Sequence, residues 1–293
     1  MGTIRNFRRT ASAVMPLCLA ACSPLLAFDA LVPKDRLSTA VATDVAYAAS
    51  RRAKLDIYAP KAGNGVRNPV IIFFYGGSWN SGTKDGYGFV GRALAGQGFL
   101  TVVPDYRLLP EVEYPTFLRD CAEAVKWVRA NAARYGGDPD RIILVGHSAG
   151  AYNAAMLSLD PQWLGNDREA IRGFIGMAGP YSFLPLDTKV TIRTFGAVDD
   201  LPSTQPIHFA SADDPPALLL GGEKDGLVFA SNSVALAMRL SEASAKVETR
   251  IYPDIGHVGI ISALARPLRS RANVVADISA FAHSVASNDF RRR

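Results

Sequence analysis

An α/β fold, with a mostly parallel sheet and helices on both of its faces, is predicted by three features of the 293-residue sequence. From about residue 45, short apolar runs alternate with amphipathic stretches of helix length. Several of those runs are continuous in β-branched and aromatic residues, as in strands buried on both faces. Most of them end in glycine or proline, the punctuation of a tight strand-to-helix turn.

Taken in order, "KLDIYAP" (54–60) alternates with period two and predicts an antiparallel, edge-type strand. "PVIIFFYGG" (69–77) predicts a fully buried strand, "YGFVGRALAGQG" (87–98) a helix closed by glycine, and "FLTVVPDY" (99–106) the next buried strand. "YPTFLRDCAEAVKWVRANAARYGG" (114–137) carries apolar residues at helical spacing, with proline at its start and a glycine pair at its end. "RIILVGH" (141–147) predicts a strand, "SAGAYNAAMLSL" (148–159) a helix, and "IRGFIGMAG" (171–179) a strand. "PALLLGG" (216–222), a helix over 230–243, "VETRIYP" (247–253) and a final helix over 262–285 complete the alternation. Residues 181–215, rich in Pro, Asp, Ser and Thr, interrupt it and predict a functional loop or small lid.

The N-terminus differs in kind from this body. Arg5, Arg8 and Arg9 precede the short apolar stretch "ASAVMPLCLAAC", the pattern of a secretory signal peptide rather than of a membrane span. It ends in Leu19-Ala20-Ala21-Cys22, which resembles the lipobox of bacterial lipoproteins. That resemblance implies removal of residues 1–21, lipidation of Cys22, and an exported protein on the periplasmic side of the outer membrane, since Ser23 follows. The alternative is a plain signal peptide cut after Ala21. The expected organisation is then a signal peptide (1–21), a tether (22–44), a catalytic domain (45–286) with its insertion at 181–215, and a basic tail (287–293). Removing 1–21 takes three arginines and no acid, so the net charge falls from +5 to +2. The basic balance is thus partly a property of the leader and argues for no nucleic-acid partner. Of Cys18, Cys22 and Cys121, only Cys121 is left as a free thiol after processing, so no disulfide is expected.

The chemistry centres on "IILVGHSAGAYNAA" (142–155). A G-x-S-x-G pattern alone arises by chance in about one chain in ten of this length, at average Gly and Ser frequencies. Here Ser148 follows an apolar strand and opens a helix, as a nucleophile elbow requires. Gly146 and Gly150 let strand and helix approach closely, and the Ala149 N–H falls at the helix N-terminus, where the dipole favours an oxyanion. A serine hydroxyl needs a base. Of the four histidines, His147 would have to fold back on its own turn, His208 lies in the irregular insertion, and His283 lies late in the last helix. His257, in "YPDIGHVGI", sits in a glycine-flanked loop after a strand and is the expected base. Its carboxylate partner could be Asp225 or Glu223, in "LLLGGEKDGLV", or the nearby Asp254.

The segments "FFYGGSW", "VVPDYRLLPE", "GGDPDRIILVGHSAGA", "GGEKDGLV" and "GHVGI" follow one another as they do in α/β-hydrolase esterases. Over about residues 45–285 the chain resembles the hormone-sensitive-lipase-like and the bifunctional acetylxylan/feruloyl-esterase-like carboxylesterases, and the kynurenine formamidases. The resemblance implies the order Ser148, Asp225, His257, which excludes Asp254. It also implies an oxyanion hole of the Gly77, Ser78 and Ala149 N–H groups. Trp79 is a candidate wall of the acyl pocket or a core residue, and Asp105 and Arg107 match the family's "DYR" support for the oxyanion loop. Tyr75 stands where the family usually has histidine. The elbow is GHSAG rather than GDSAG, and no long cap precedes the first strand, both closer to the acetyl/feruloyl-esterase-like group.

The expected function is therefore a serine-dependent carboxylic ester hydrolase acting through an acyl-enzyme on short to medium acyl or aryl esters, with a small-molecule ester as substrate and no cofactor. An arylformamidase or small amidase with the same triad is the alternative within enzymes. A non-catalytic, exported hydrolase-fold binding protein is the alternative outside them. No metal is expected, since neither H-E-x-x-H nor paired C-x-x-C occurs.

Overall fold

The computed structural model describes residues 24–61 and 65–287. The expected signal peptide, Cys22 and residues 288–293 of the basic tail lie outside them. Eight strands form one sheet in the order β1-β2-β4-β3-β5-β6-β7-β8. These are β1 (Ser38–Ala46), β2 (Lys54–Pro60), β3 (Asn68–Phe74), β4 (Leu100–Pro104), β5 (Gly137–His147), β6 (Ile171–Met177), β7 (Ala217–Gly222) and β8 (Val247–Tyr252). β1 and β2 pair antiparallel, as do β2 and β4, and every pair from β4 to β8 is parallel.

The continuous apolar runs become the centre of the sheet. Val70, Ile71, Ile72, Phe73 and Phe74 of β3 are all wholly buried, each such side chain contributing about 1.5–3 kcal/mol on transfer from water. Helices cover both faces: α2 (Gly88–Ala95), α3 (Thr116–Asn131), α4 (Ala149–Leu159), α6 (Ser231–Glu242) and α8 (Val274–Ser287), together with α1 (Pro24–Leu31), α5 (Lys189–Phe195) and α7 (His257–Ser262). The register aligns Phe74 with Gly146 and His147 with Met177, so the carboxyl ends of β3, β5 and β6 share one edge. Ligand sites of parallel sheets form at that edge.

Three expectations are corrected. Residues 22–44 are not a free tether where described: α1 docks on α2, with Phe28 edge-on to Phe89 at 5.3 Å, and β1 extends the sheet. The Ser38 hydroxyl and backbone bond Arg92, and Asp35 pairs with Arg269. β1 is short of large apolar residues because it is an exposed edge, bulged after Ala40 and Ala42, and such strands carry little sequence signal. β2 is accordingly not the edge, and Leu55 to Ala59 are buried in it. The last expected helix divides: a 3-10 turn at Arg266–Arg271, with Pro267 near its start, separates α7 from α8.

The insertion at 181–215 is packed down rather than open. It holds α5 and two 3-10 turns, and Tyr181 and Phe195 in it are fully buried. The Tyr152 hydroxyl of α4 donates to Thr204 O at 2.7 Å, and Asn232 Oδ1 accepts the N–H groups of Tyr181 and Ser182.

Candidate active site

Ser148 occupies the sharp corner between β5 and α4 with φ 55° and ψ −125°, a conformation strained for any residue with a side chain. The surrounding backbone holds it there: its N–H donates to Met177 O of β6 at 2.9 Å, and its carbonyl accepts from Ala151 and Tyr152. The crossing leaves no room for side chains at Gly146 and Gly150. A Cβ on the first would lie 2.1 Å from Gly150 O, and one on the second 2.0 Å from Phe74 O.

The expected acid and base, Asp225 and His257, lie in neighbouring turns after β7 and β8. Lys224 N–H donates to Ile255 O at 2.9 Å and Glu223 N–H to Tyr252 O at 3.0 Å, so the two turns are tied by main chain. Asp225 is buried; its Oδ1 accepts the Leu227 and Val228 N–H groups, both at 2.9 Å. Its Oδ2 lies 2.8 Å from His257 Nδ1, and His257 Nε2 lies 2.8 Å from Ser148 Oγ. A carboxylate can only accept, so Nδ1 carries the proton and Nε2 presents its lone pair to the serine hydroxyl. Glu223 and Asp254 are exposed. His283 caps Gln97 O and stacks on Phe99, and His208 lies in a 3-10 turn of the insertion.

The expected oxyanion loop follows β3. Gly77, Ser78 and Trp79 have φ of 125°, 50° and 56°, three consecutive positive values of which two belong to residues with side chains. The Gly77 carbonyl accepts Asn80 and Ser81 N–H, while the N–H groups of Gly77 and Ser78 have no acceptor among the described residues. A Cβ on Gly76 would sit 2.9 Å from Ser148 Cβ, which fixes how near this loop lies to the serine.

Both ends of the loop are anchored. Tyr75 donates to Asp105 Oδ1 at 2.6 Å and accepts from Arg52 at 2.9 Å; Arg52 also reaches Gly82 O, and Asp105 Oδ1 accepts Lys84 N–H. Burial pushes the Asp105 carboxyl upward, against the hydrogen bonds from Tyr75 and Lys84. At the other end, Trp79 is buried edge-on to Tyr152 and Phe195, at 5.2 and 5.0 Å. Its Nε1–H donates to Asn153 Oδ1 at 3.1 Å. Tyr75 thus takes the loop-supporting place of the usual histidine. Of the "DYR" residues, Asp105 and Tyr106 join that network, the Tyr106 hydroxyl donating to Tyr75 O at 2.7 Å and its carbonyl accepting from Arg52 at 3.0 Å; Arg107 instead makes a two-point ion pair with Asp120.

Sequence reasoning missed Arg52, Asn153 and the position of His147. Arg52 is distant along the chain, and nothing in its local pattern marks it. Asn153 sits on an all-buried helix, where an amide among small and apolar residues was the available signal. His147 Nε2 lies 3.1 Å from the His257 carbonyl, with the two rings 4.8 Å apart. Among the described residues, no three His, Cys, Asp or Glu side chains converge as a metal site requires.

A mostly parallel sheet whose β5–α4 corner presents a serine to a histidine and a buried aspartate is the arrangement of the α/β-hydrolase fold. The chain belongs to the BD-FAE family, whose pattern matches residues 55–240. It is similar to esterase LipQ of Mycobacterium tuberculosis, 30% identical over 284 residues, covering 87% of this chain and 66% of that protein. A probable isoprenylcysteine alpha-carbonyl methylesterase of Oryza sativa is 35% identical over 158 residues, covering 51% of this chain and 37% of that one. The chain therefore spans between about a third and two thirds of the length of these curated relatives. Among solved structures, a truncated carbohydrate esterase from gut microbiota superposes with a TM-score of 0.76 at 22% identity, covering 88% of this chain and all of that one. Esterase B from Lactobacillus rhamnosis does so with 0.78 at 19%, covering 89% and 92%. At those identities the likeness establishes the fold.

Proposed function

We propose that the protein is a serine-dependent carboxylic ester hydrolase that works through an acyl-enzyme on short to medium acyl or aryl esters. The observation that carries this reading is the unbroken chain Ser148 Oγ, His257 Nε2, His257 Nδ1, Asp225 Oδ2, with both contacts at 2.8 Å. Ser148 Oγ attacks the acyl carbon while His257 Nε2 takes its proton, and Asp225 stabilises the imidazolium. The carbonyl oxygen, now an anion, is received by the Gly77, Ser78 and Ala149 N–H groups, each such donor being worth about 10²–10³ in turnover. His257 then protonates the alcohol as the C–O bond breaks. Water, deprotonated by the same imidazole, releases the acid and restores the serine.

Hydrolysis of p-nitrophenyl acetate and butyrate, followed by labelling with a p-nitrophenyl phosphonate, tests this directly. The expected result is turnover that stops as one phosphonyl group is found by mass spectrometry on the peptide containing Ser148. Label on any other residue, or no turnover of either ester, sinks the proposal.

We propose further that the protein is exported and held at a membrane by a lipid on Cys22. The support is the run Leu19-Ala20-Ala21-Cys22 behind a positively charged apolar leader. The mass of the mature N-terminal peptide decides it: a diacylglyceryl cysteine at Cys22 is expected, and an unmodified start at Cys22 or Ser23 overturns the anchor.

A further inference from the structure

We propose that His147 is a positioning residue for His257, holding the base in place as a neutral donor to its main-chain carbonyl. The inference rests on the triad reading above and deepens it.

The His257 carbonyl is only an acceptor, so at 3.1 Å the His147 Nε2 must carry the hydrogen. In the neutral ring Nδ1 is then bare, and Nδ1 is a buried atom with no hydrogen-bond partner among the described residues. It faces the oxyanion loop: a Cβ on Gly76 would lie 3.1 Å from it. The ring therefore fills the space between the oxyanion loop and the base, touching both and giving a hydrogen bond to one.

What it holds needs holding. His257 is the first residue of α7, after a turn in which Asp254 has φ 57°, and it lies between Gly256 and Gly259. His147, by contrast, is the last residue of the central strand β5, buried and paired with Met177 of β6. It is also the residue next to Ser148. One dipeptide thus carries the nucleophile and the anchor of its base, so movement of the elbow carries His257 with it and preserves the 2.8 Å contact.

The donor also has to stay uncharged. When His257 takes the serine proton it becomes a cation, and a second cation with its ring 4.8 Å away would oppose that transfer. Burial first, and then the nearby His257, push the His147 imidazole down to about 3, while its bond to the His257 carbonyl and the Asp225 charge act the other way. A carboxylate in this place could not donate to a carbonyl. A glutamine could, which supplies the conservative replacement.

The test compares His147→Leu, which keeps bulk and removes the donor, with His147→Gln, which restores a neutral donor, beside wild type and Ser148→Ala. With p-nitrophenyl butyrate, His147→Leu is expected to lose about 10- to 100-fold in kcat, the scale of a misplaced catalytic group, with KM within about twofold. His147→Gln should recover most of that loss. Nitrogen-15 spectra of labelled histidine in the wild-type protein should show one neutral Nε2–H tautomer for His147 from about pH 5 to 9, where an ordinary histidine titrates. Wild-type kcat in His147→Leu, no recovery in His147→Gln, or titration of His147 within that range would each overturn the proposal. Should His147→Leu fail to melt cooperatively, the wild-type spectra still decide. An active Ser148→Ala would instead bring down the triad reading, whereas a dead Ser148→Ala beside a fully active His147→Leu removes only this inference.

Discussion

Replacing Ser148 with alanine is expected to lower kcat by about 10⁵- to 10⁶-fold, the scale found when a triad nucleophile is deleted. In the proposed mechanism the substitution removes the atom that carries the acyl group, and His257 and Asp225 then have nothing to activate. The Gly77, Ser78 and Ala149 N–H groups remain, so a residual rate about 10³–10⁴ above water should persist. In the proposed mechanism the three side chains act as one unit, so the double variant Ser148→Ala, His257→Ala should be no slower than the single one. A single variant retaining more than about 1% of turnover, or a double variant whose losses multiply, would contradict a shared mechanism. Stability should move little, within about 1 kcal/mol, because the backbone strain at position 148 is set by the crossing of β5 and α4 and not by the hydroxyl. Thermal melting alongside the kinetics separates the two effects.

The parts of this molecule that were readable in advance are those whose signal is local. Residues 70–74 of β3 and 142–145 of β5 are continuous apolar runs because both faces of the sheet are covered there, and burial of that kind is written into consecutive residues. The corner at Ser148 was readable because a strand, two glycines and a helix have to be contiguous to make it. His257 was reachable because few histidines exist, and Asp225 because the chain order of the α/β-hydrolases that the sequence resembles places the acid after the strand before the histidine's. β1 was not readable, since an exposed edge strand of mostly small residues, with Val41 and Val45 its only larger apolar ones, buries too little to leave a pattern. The supports of the site were hidden for a different reason. Arg52 meets Tyr75 across 23 positions, Trp79 meets Asn153 across 74, and His147 meets His257 across 110. No periodicity encodes contacts of that separation; they exist only once the sheet has been assembled. His147 shows the limit best, because beside Ser148 it reads as a turn residue, and only the fold reveals what its ring touches.

Replacing Gly150 with alanine is the second large effect expected, and it acts on the fold before it acts on the chemistry. The added Cβ would lie 2.0 Å from Phe74 O and 2.5 Å from Tyr75 O, both main-chain atoms of β3 and the loop it enters. No side-chain rotation relieves such a contact, so α4 has to lift from the sheet by an ångström or more. Overpacking usually costs about 1–3 kcal/mol, and a clash with backbone belongs at or above the upper end. In a chain of 293 residues, with about 2.1 cal/mol/K of unfolding entropy per residue, 3 kcal/mol corresponds to a fall in melting temperature of about 5 °C. The displaced helix carries Ala149, and the displaced strand end carries the oxyanion loop from Tyr75 onward, so the distance between the hole and Ser148 changes as well. Gly150→Ala should therefore lose activity at temperatures where it is still fully folded, by more than the about 10²-fold that a misplacement of 1 Å can cause. A variant that melts with wild type and turns over p-nitrophenyl butyrate normally would show that strand and helix are not packed this tightly. It would also remove the physical reason for glycine at this corner.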